Sequence, residues 1–448
     1  MEITMNNTRV TVVGAGLAGS EAAWQLLKRG IPVRLIEMKP EKYTPAHHEK
    51  GFAELVCSNS LKAEHLTSGS GLLKAEMRAL DLLILRAAEA SRVPAGGALA
   101  VDRDLFSEYI TRTLTEHPLC EVEHRVVDEI PEEPCIIATG PLTDEGLANA
   151  IQQLPGMRAL NFFDAAAPIV TLESINMDRA FRASRYGKGE GDDYINCPMT
   201  EEEYNAFYDA LMSAELAEVH DFEKKLVFEG CLAVEILASR GRMTLAFGPL
   251  KPVGLVDPHT GKMPYAVVQL RQDNAAGTLF NLVGFQTRLK WGEQKRVFSM
   301  IPGLENAEFL RYGVMHRNTF LHSPGFLDEH YQMIARPGTY FAGQMTGVEG
   351  YVESASSGMV AGISLARQLL GMEPVDFTRL TAIGALSHHV AHATGDFQPM
   401  NANFGLIESY PKKIRNKQER YGAISARSLN FIEALRSNPL ACDFYPED

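Results

Sequence analysis

Two rhythms of apolar and polar positions follow one another at the start of the chain. The run RVTVV (9–13) is apolar and β-branched, glycines interrupt it, and LAGSEAAWQLLKRG (17–30) spaces its apolar positions for a helix that closes at Gly30. A second apolar run, IPVRLIEM, ends its strand on Glu37. Strand period, helix period and strand period again predict a βαβ unit. Two later segments repeat the strand-to-glycine-turn style. EPCIIATGP (133–141) is a short buried strand running into a Thr-Gly turn. In GTYFAGQMTGVEGYVESASSGMVAGISLARQLLG (338–371) a strand ends at Ala342 and a glycine-rich loop follows. A small-residue helix then begins near Ser354 and closes on a glycine cap. These pieces lie far apart in sequence. Together they predict an α/β fold: a Rossmann-like dinucleotide domain built from both chain ends, residues 1–160 and 325–448. An α+β domain at 161–324 is inserted between them. The inserted region carries the acidic helix start TEEEYNAFYDALM and the β-rich runs MPYAVVQL and TLFNLVGFQTRL.

Composition narrows the class. The chain has 448 residues, 45% hydrophobic and 22% charged, which suits a globular enzyme of two or three domains. No apolar run approaches the ~18 residues of a membrane span. The start, MEITMNNTRV, lacks the basic and long apolar segments of a secretory leader, so a cytoplasmic protein is expected. Six cysteines, at 57, 120, 135, 197, 231 and 442, show no CxxC pairing and no zinc spacing; free thiols and no metal are expected. A net charge of −13 argues against a surface coated in basic residues. Three local basic groups stand out against it: Arg179, Arg182, Arg185 and Lys188; Arg288, Lys290, Lys295 and Arg296 around Trp291; and Lys412, Lys413, Arg415, Lys417 and Arg420. Each alone is ordinarily a solvated face.

The first glycine turn has the chemistry of a dinucleotide site. In the segment Gly14, Ala15, Gly16, Leu17, Ala18, Gly19, the first glycine permits a tight turn and the second lets the backbone approach a pyrophosphate. The third lets the helix pack closely on the strand. The N–H groups and dipole at the helix start hold phosphates. Glu37, 18 residues beyond Gly19, ends the second strand where a carboxylate binds ribose hydroxyls. The return to glycine-rich chemistry near the C-terminus favours FAD over NAD as the tightly held cofactor, because a flavin extends beyond the first motif. Gly343, Gly347 and Gly350 would allow close backbone approach, with Gln344 and Tyr351 beside them. The positive end of the following helix would favour an anionic reduced flavin.

The chain carries the strings GAGLAGSEAAW, EMKP, CSNSLKAE, GLLKAEMR, RVPAGGALAVDRDLFSEYIT, ATGPLT, YINCPMT, FEGC, GRMTLAFGPLKPVGL, LVGFQTRLKWGEQKRVF, MIPGLENAEFLRYGVMHRNTF, GQMTGVEGYVES and FQPMNANFGL, several of them long and unusual. In them the chain resembles the folate- and FAD-dependent tRNA (uracil-5-)-methyltransferase family, from about Thr8 to Leu435. The resemblance implies an activity. The one-carbon unit of 5,10-methylenetetrahydrofolate passes to C5 of the T-loop uridine of tRNA, with reduced FAD as reductant and NADH or NADPH as electron source. No membrane and no obligate protein partner are expected. Two departures are visible. Ala233 stands where the family pattern has proline, and Ser299 where it has a basic residue; both bear on packing or a tRNA contact rather than on the chemistry.

Uracil C5 is a poor nucleophile, and a thiolate adding to C6 turns it into an enolate carbon that attacks an electrophilic methylene. A base must then remove the C5 proton. By family position two thiols fit, Cys57 in LVCSNS and Cys231 in FEGC. Cys231 is assigned as nucleophile toward C6, and Cys57 as the thiol on the flavin side, a proton-transfer partner or a cap. Cys120, Cys135 and Cys442 read as packing residues, and Cys197 has no derived role. Three other readings remain open at this stage: a flavin- and folate-dependent tRNA modifier of the glucose-inhibited-division type, an FAD oxidoreductase for a small metabolite, and a noncatalytic tRNA-binding flavoprotein.

Overall fold

In the computed structural model the described residues are 9–157, 159–165, 167–187, 191–217, 232–274, 276–313, 315–394 and 397–437. A five-stranded parallel sheet is assembled from both chain ends. Its strands are β1 (Val10–Val13), β2 (Val33–Glu37), β6 (Cys120–His124), β7 (Cys135–Ile137) and β16 (Thr339–Phe341), in the order β16-β7-β1-β2-β6. β1, β7 and β16 are buried at every position, which is what an all-parallel sheet covered on both faces requires. The strand β16, some 200 residues downstream of β7, pairs with it through Thr339 opposite Cys135 and Phe341 opposite Ile137.

A second, antiparallel sheet runs β10-β11-β12-β13-β9-β14. It comprises β9 (Ile169–Thr171), β10 (Phe181–Arg182), β11 (Tyr194–Met199), β12 (Ala266–Gln272), β13 (Leu279–Leu282) and β14 (Phe309–Arg311). The run TLFNLVGFQTRL supplies only the short β13, because Gly284 turns the chain at a φ of +79°. The acidic start at Thr200 is a capping box: its hydroxyl accepts the Glu203 N–H, and the Glu203 carboxylate accepts the Thr200 N–H. A two-stranded ribbon, β8 (Ala159–Ala165) on β15 (Met315–Leu321), lies where the chain leaves the first sheet region and returns. A small sheet β3-β5-β4, made of β3 (Ser60–Ala63), β4 (Arg92–Val93) and β5 (Ala98–Val101), completes the strands. The buried apolar side chains fall into two main clusters. One draws on residues 10–151 and 321–432, the other on 167–307. No helix among the described residues is long and apolar enough to cross a membrane.

The first helix, Leu17–Leu27, and the helix Tyr351–Leu369 pack directly on each other. Their contact is set by glycines. A Cβ on Gly358 would fall 2.1 Å from the Ala18 carbonyl oxygen, and one on Gly362 2.7 Å from that of Ala22. Gly358→Val should therefore push the two helices apart and destabilise the fold by about 3 kcal/mol, read as a lower urea midpoint. An unchanged midpoint would show that the contact is not needed.

Candidate functional site

The carboxyl ends of β1, β2 and β7 and the loop after β16 open onto one cleft with about 1140 Å³ of space, its solvent-facing mouth included. This is where open α/β sheets take ligands. Gly14 turns the chain there at a φ of +93°, and a Cβ on it would sit 2.7 Å from the Ala138 carbonyl oxygen. Gly16 is different: nothing lies within 4 Å of its Cβ position. The protein itself does not demand a glycine at 16, so the empty space above it is room for a ligand. The helix after Gly16 has no side-chain cap, and neither has the helix after Gly350. Their first-turn N–H groups and positive ends are thus left for a bound anion or an electron-rich ring. Glu37 is buried at the rim, accepting the Ala15 N–H at 2.8 Å and the Lys39 N–H at 3.0 Å, with lone pairs left over for hydroxyls. A dinucleotide such as FAD fits this set of donors and spaces.

Of the residues singled out from the sequence, Gly14, Ala15, Gly16, Leu17, Ala18, Glu37, Gly343, Gln344 and Tyr351 converge on the cleft. Three glycines do not line it. A Cβ on Gly19 would be 1.8 Å from the Gly14 carbonyl oxygen, so Gly19 serves helix-on-turn packing. Gly347 lies under the Phe397 ring, and Gly350 against the Glu353 carboxylate and the Lys62 ammonium. Their positive φ values, +92° and +124°, shape the loop rather than clear space for a ligand. The helix starts at Tyr351, three residues before the expected Ser354, because the chain enters it directly from the Gly350 turn. Sequence reasoning missed the far wall of the cleft. Thr139 and Thr143 line it, joined hydroxyl to hydroxyl at 2.7 Å, together with Lys39, Thr44 and His47. The ATGP turn was the available signal for the first pair.

Cys57 sits beside the cleft, one residue after its lining residue Val56, and is half-buried. Its loop is held from both cores. From the first, the Tyr351 hydroxyl accepts the N–H groups of Cys57 at 2.8 Å and Ser58 at 3.1 Å. Burial pushes that phenol well above its ordinary range, with Cys57 adding to the effect, so it stays protonated. From the second core, the buried Arg271 on β12 donates to Ser58 Oγ at 2.5 Å and to Asn59 Oδ1 at 3.0 Å. Asn59 in turn donates to the carbonyls of Val101 and Gln272, at 3.0 and 2.8 Å. Arg103 bridges the Leu55 carbonyl and Asp273. Cys231 and Cys442 lie outside the described residues. Among the remaining thiols, burial pushes Cys120 and Cys135 up to about 11 and Cys197 further still, the behaviour of inert packing residues.

The basic groups are partly neutralised locally. Arg179 pairs with Glu203 at 2.5 Å, Arg185 donates to Gln269 and the Val253 carbonyl, and Arg182 lies over the Phe280 ring. Lys188 is outside the described residues. Lys290 pairs with Glu215, Arg296 with Glu293 and Arg288 with Glu235. Lys295 remains on the surface beside Trp291, which is 64% exposed and stacks on Tyr312 at 5.8 Å, with Phe309 behind. Ser299, the departure noted above, caps the helix that carries Trp291 and Lys295; Ala233 opens the helix Val234–Ser239. Lys412, Lys413, Arg415 and Lys417 are exposed, and Lys417 and Arg420 approach the Tyr421 ring, itself stacked on Phe404.

Comparison with known proteins agrees with this architecture. The family described as Glucose inhibited division protein A matches residues 9–373. Two solved structures of Aquifex aeolicus GidA superimpose with TM-scores of 0.67 and 0.68 at 15% identity, covering 96% of this chain and 76% and 78% of theirs; they show the fold. The chain is 60% identical over 426 residues to the methylenetetrahydrofolate--tRNA-(uracil-5-)-methyltransferase TrmFO of Acetivibrio thermocellus, covering 95% of this chain and 98% of that one. It is 61% identical to the Staphylococcus haemolyticus protein of the same name, with the same coverage. The chain therefore belongs to the Glucose inhibited division protein A family and, within it, to the methylenetetrahydrofolate--tRNA-(uracil-5-)-methyltransferase group that these relatives represent.

Proposed function

We propose that the protein methylates C5 of the T-loop uridine of tRNA with the one-carbon unit of 5,10-methylenetetrahydrofolate, using FAD held in the cleft and NADH or NADPH as electron source. The observation that carries the site assignment is Cys57 hung from the Tyr351 hydroxyl at the edge of that cleft. The near-full-length identity to the named methyltransferases supports the substrate class. FAD would rest on the 14–19 turn, Glu37, Gly343, Gln344 and the helix start after Gly350, and when reduced it supplies the hydride that completes the methyl group.

The chain's own residues do the rest. Cys231 adds to uracil C6 and leaves again once the C5 proton is gone. Cys57 moves a proton on the flavin side. Arg271 places a buried guanidinium next to its loop, bonded to Ser58 and Asn59. The protonated Tyr351 hydroxyl, loaded with two backbone N–H groups, fixes where that thiol lies. Residues 161–324 form the inserted domain in this reading, and the exposed Trp291–Lys295 platform on it receives the RNA, stacking supplied by the ring and phosphate attraction by the ammonium. The protein works in the cytoplasm beside its tRNA.

Three outcomes are expected. Gly16→Val should fold normally yet purify without flavin absorbance, since its side chain fills only the space over the turn; a yellow variant would remove this site. Cys231→Ala should abolish the covalent adduct with a 5-fluorouridine T-loop RNA while FAD stays bound, whereas Cys57→Ala should lose turnover but leave the adduct possible. Mass mapping that finds the RNA on Cys57 would reverse the two roles. Binding of tRNA should fall steeply with added salt, and Trp291→Ala with Lys295→Glu should weaken it by about tenfold without slowing flavin reduction by NADPH. Affinity indifferent to both salt and these substitutions would place the RNA elsewhere.

A further inference from the structure

The helix Ala382–His392 ends on two imidazoles one turn apart, His388 and His392, which i,i+4 spacing puts on one face. Glu329, 59 residues earlier in the chain, meets that face. Its Oε1 lies 2.9 Å from His388 Nδ1 and 2.8 Å from His392 Nε2, and the two rings are 4.7 Å apart. The ligand-type atoms of all three side chains fall within 4.8 Å of one another. The adjacent His389 takes no part: its Nε2 is bound to the Gln398 carbonyl and its ring stacks on Phe397.

Both carriers are held in place by the surrounding structure. The Asp328 carboxylate accepts the N–H groups of His330 and Gln332, at 2.8 and 2.9 Å, and so fixes the turn bearing Glu329. At the other end of the helix the buried Glu76 carboxylate accepts the N–H groups of Ala382 and Ile383. Two nitrogens aimed at one carboxylate oxygen are the arrangement a small cation would replace. Metal–ligand bonds of about 2.0–2.2 Å in a tetrahedral site keep ligand atoms roughly 3.3–3.5 Å apart. The two nitrogen–oxygen separations, 2.9 and 2.8 Å, therefore need to open by only about half an ångström.

We propose that Glu329, His388 and His392 form a binding site for a divalent first-row cation that prefers imidazole and carboxylate, with zinc as the reference ion. Three protein ligands leave the fourth position to water. A bound ion would staple the 328–332 turn to the helix Ala382–His392, and none of its three ligands lines the flavin cleft. The expectation of no metal rested on the absence of CxxC pairs and of His/Cys zinc spacing. The His-x3-His pair was legible, but the carboxylate that completes it was not.

The test uses the full-length protein, stripped with chelator and titrated with Co²⁺ and then Zn²⁺. One equivalent of Co²⁺ should bind with weak visible bands and no near-ultraviolet thiolate charge transfer, be displaced by Zn²⁺, and raise the thermal midpoint. His388→Gln combined with His392→Gln should abolish the bands, and Glu329→Gln, a milder change in the turn, should weaken binding by about tenfold or more. FAD content should be unchanged in both. A thiolate charge-transfer band, binding that survives these substitutions, or no saturable binding would each overturn the assignment.

Discussion

The site rests on the close approach of two helices from opposite ends of the chain. Gly358 and Gly362 let the helix Tyr351–Leu369 press on the backbone of Leu17–Leu27, and Gly19 lets that helix press on the Gly14 turn. Because both helices begin beyond the carboxyl ends of strands of one sheet, the contact aligns their N-termini on one cleft. Two uncapped positive helix ends then face a common space. Bulk at any of these glycines would meet backbone of the neighbouring element and push it away.

A second coupling joins the two cores across the Cys57 loop. Leu55 and Leu61 anchor the loop in the first core, and directional hydrogen bonds fix the stretch between them, from Tyr351 on one side and from Arg271 and Arg103 on the other. Such bonds fix position to a few tenths of an ångström and are strong when buried and charged. The two cores are thus tied to one loop, the one that carries Cys57. A shift of the inserted sheet would be felt at Cys57 through Arg271 before it was felt in the flavin cleft.

Local pairing changes the meaning of the basic clusters. Most of the cations flanking Trp291 already have a carboxylate partner, so exposed ion pairs of small net worth surround an aromatic platform. Under the proposed function, RNA phosphates would have to displace these carboxylates, so binding would be an exchange among partners and sensitive to salt.

The sequence by itself determined the βαβ start, the second glycine loop, and most of the cleft's near wall, because period and glycine placement are local properties that a strand–turn–helix expresses wherever it sits. Gly14, Gly16 and Glu37 could be named from spacing alone. Only the tertiary structure decided which glycines serve a ligand and which serve packing: Gly16 faces empty space, whereas Gly19, Gly347 and Gly350 meet backbone, a ring and an ion pair. It alone also paired β16 with β7, brought Arg271 from β12 to the Cys57 loop, and set Glu329 against His388 and His392. Each of these depends on contacts between residues dozens to hundreds of positions apart. Local pattern carries no information about them, and only the packing of the finished core fixes them.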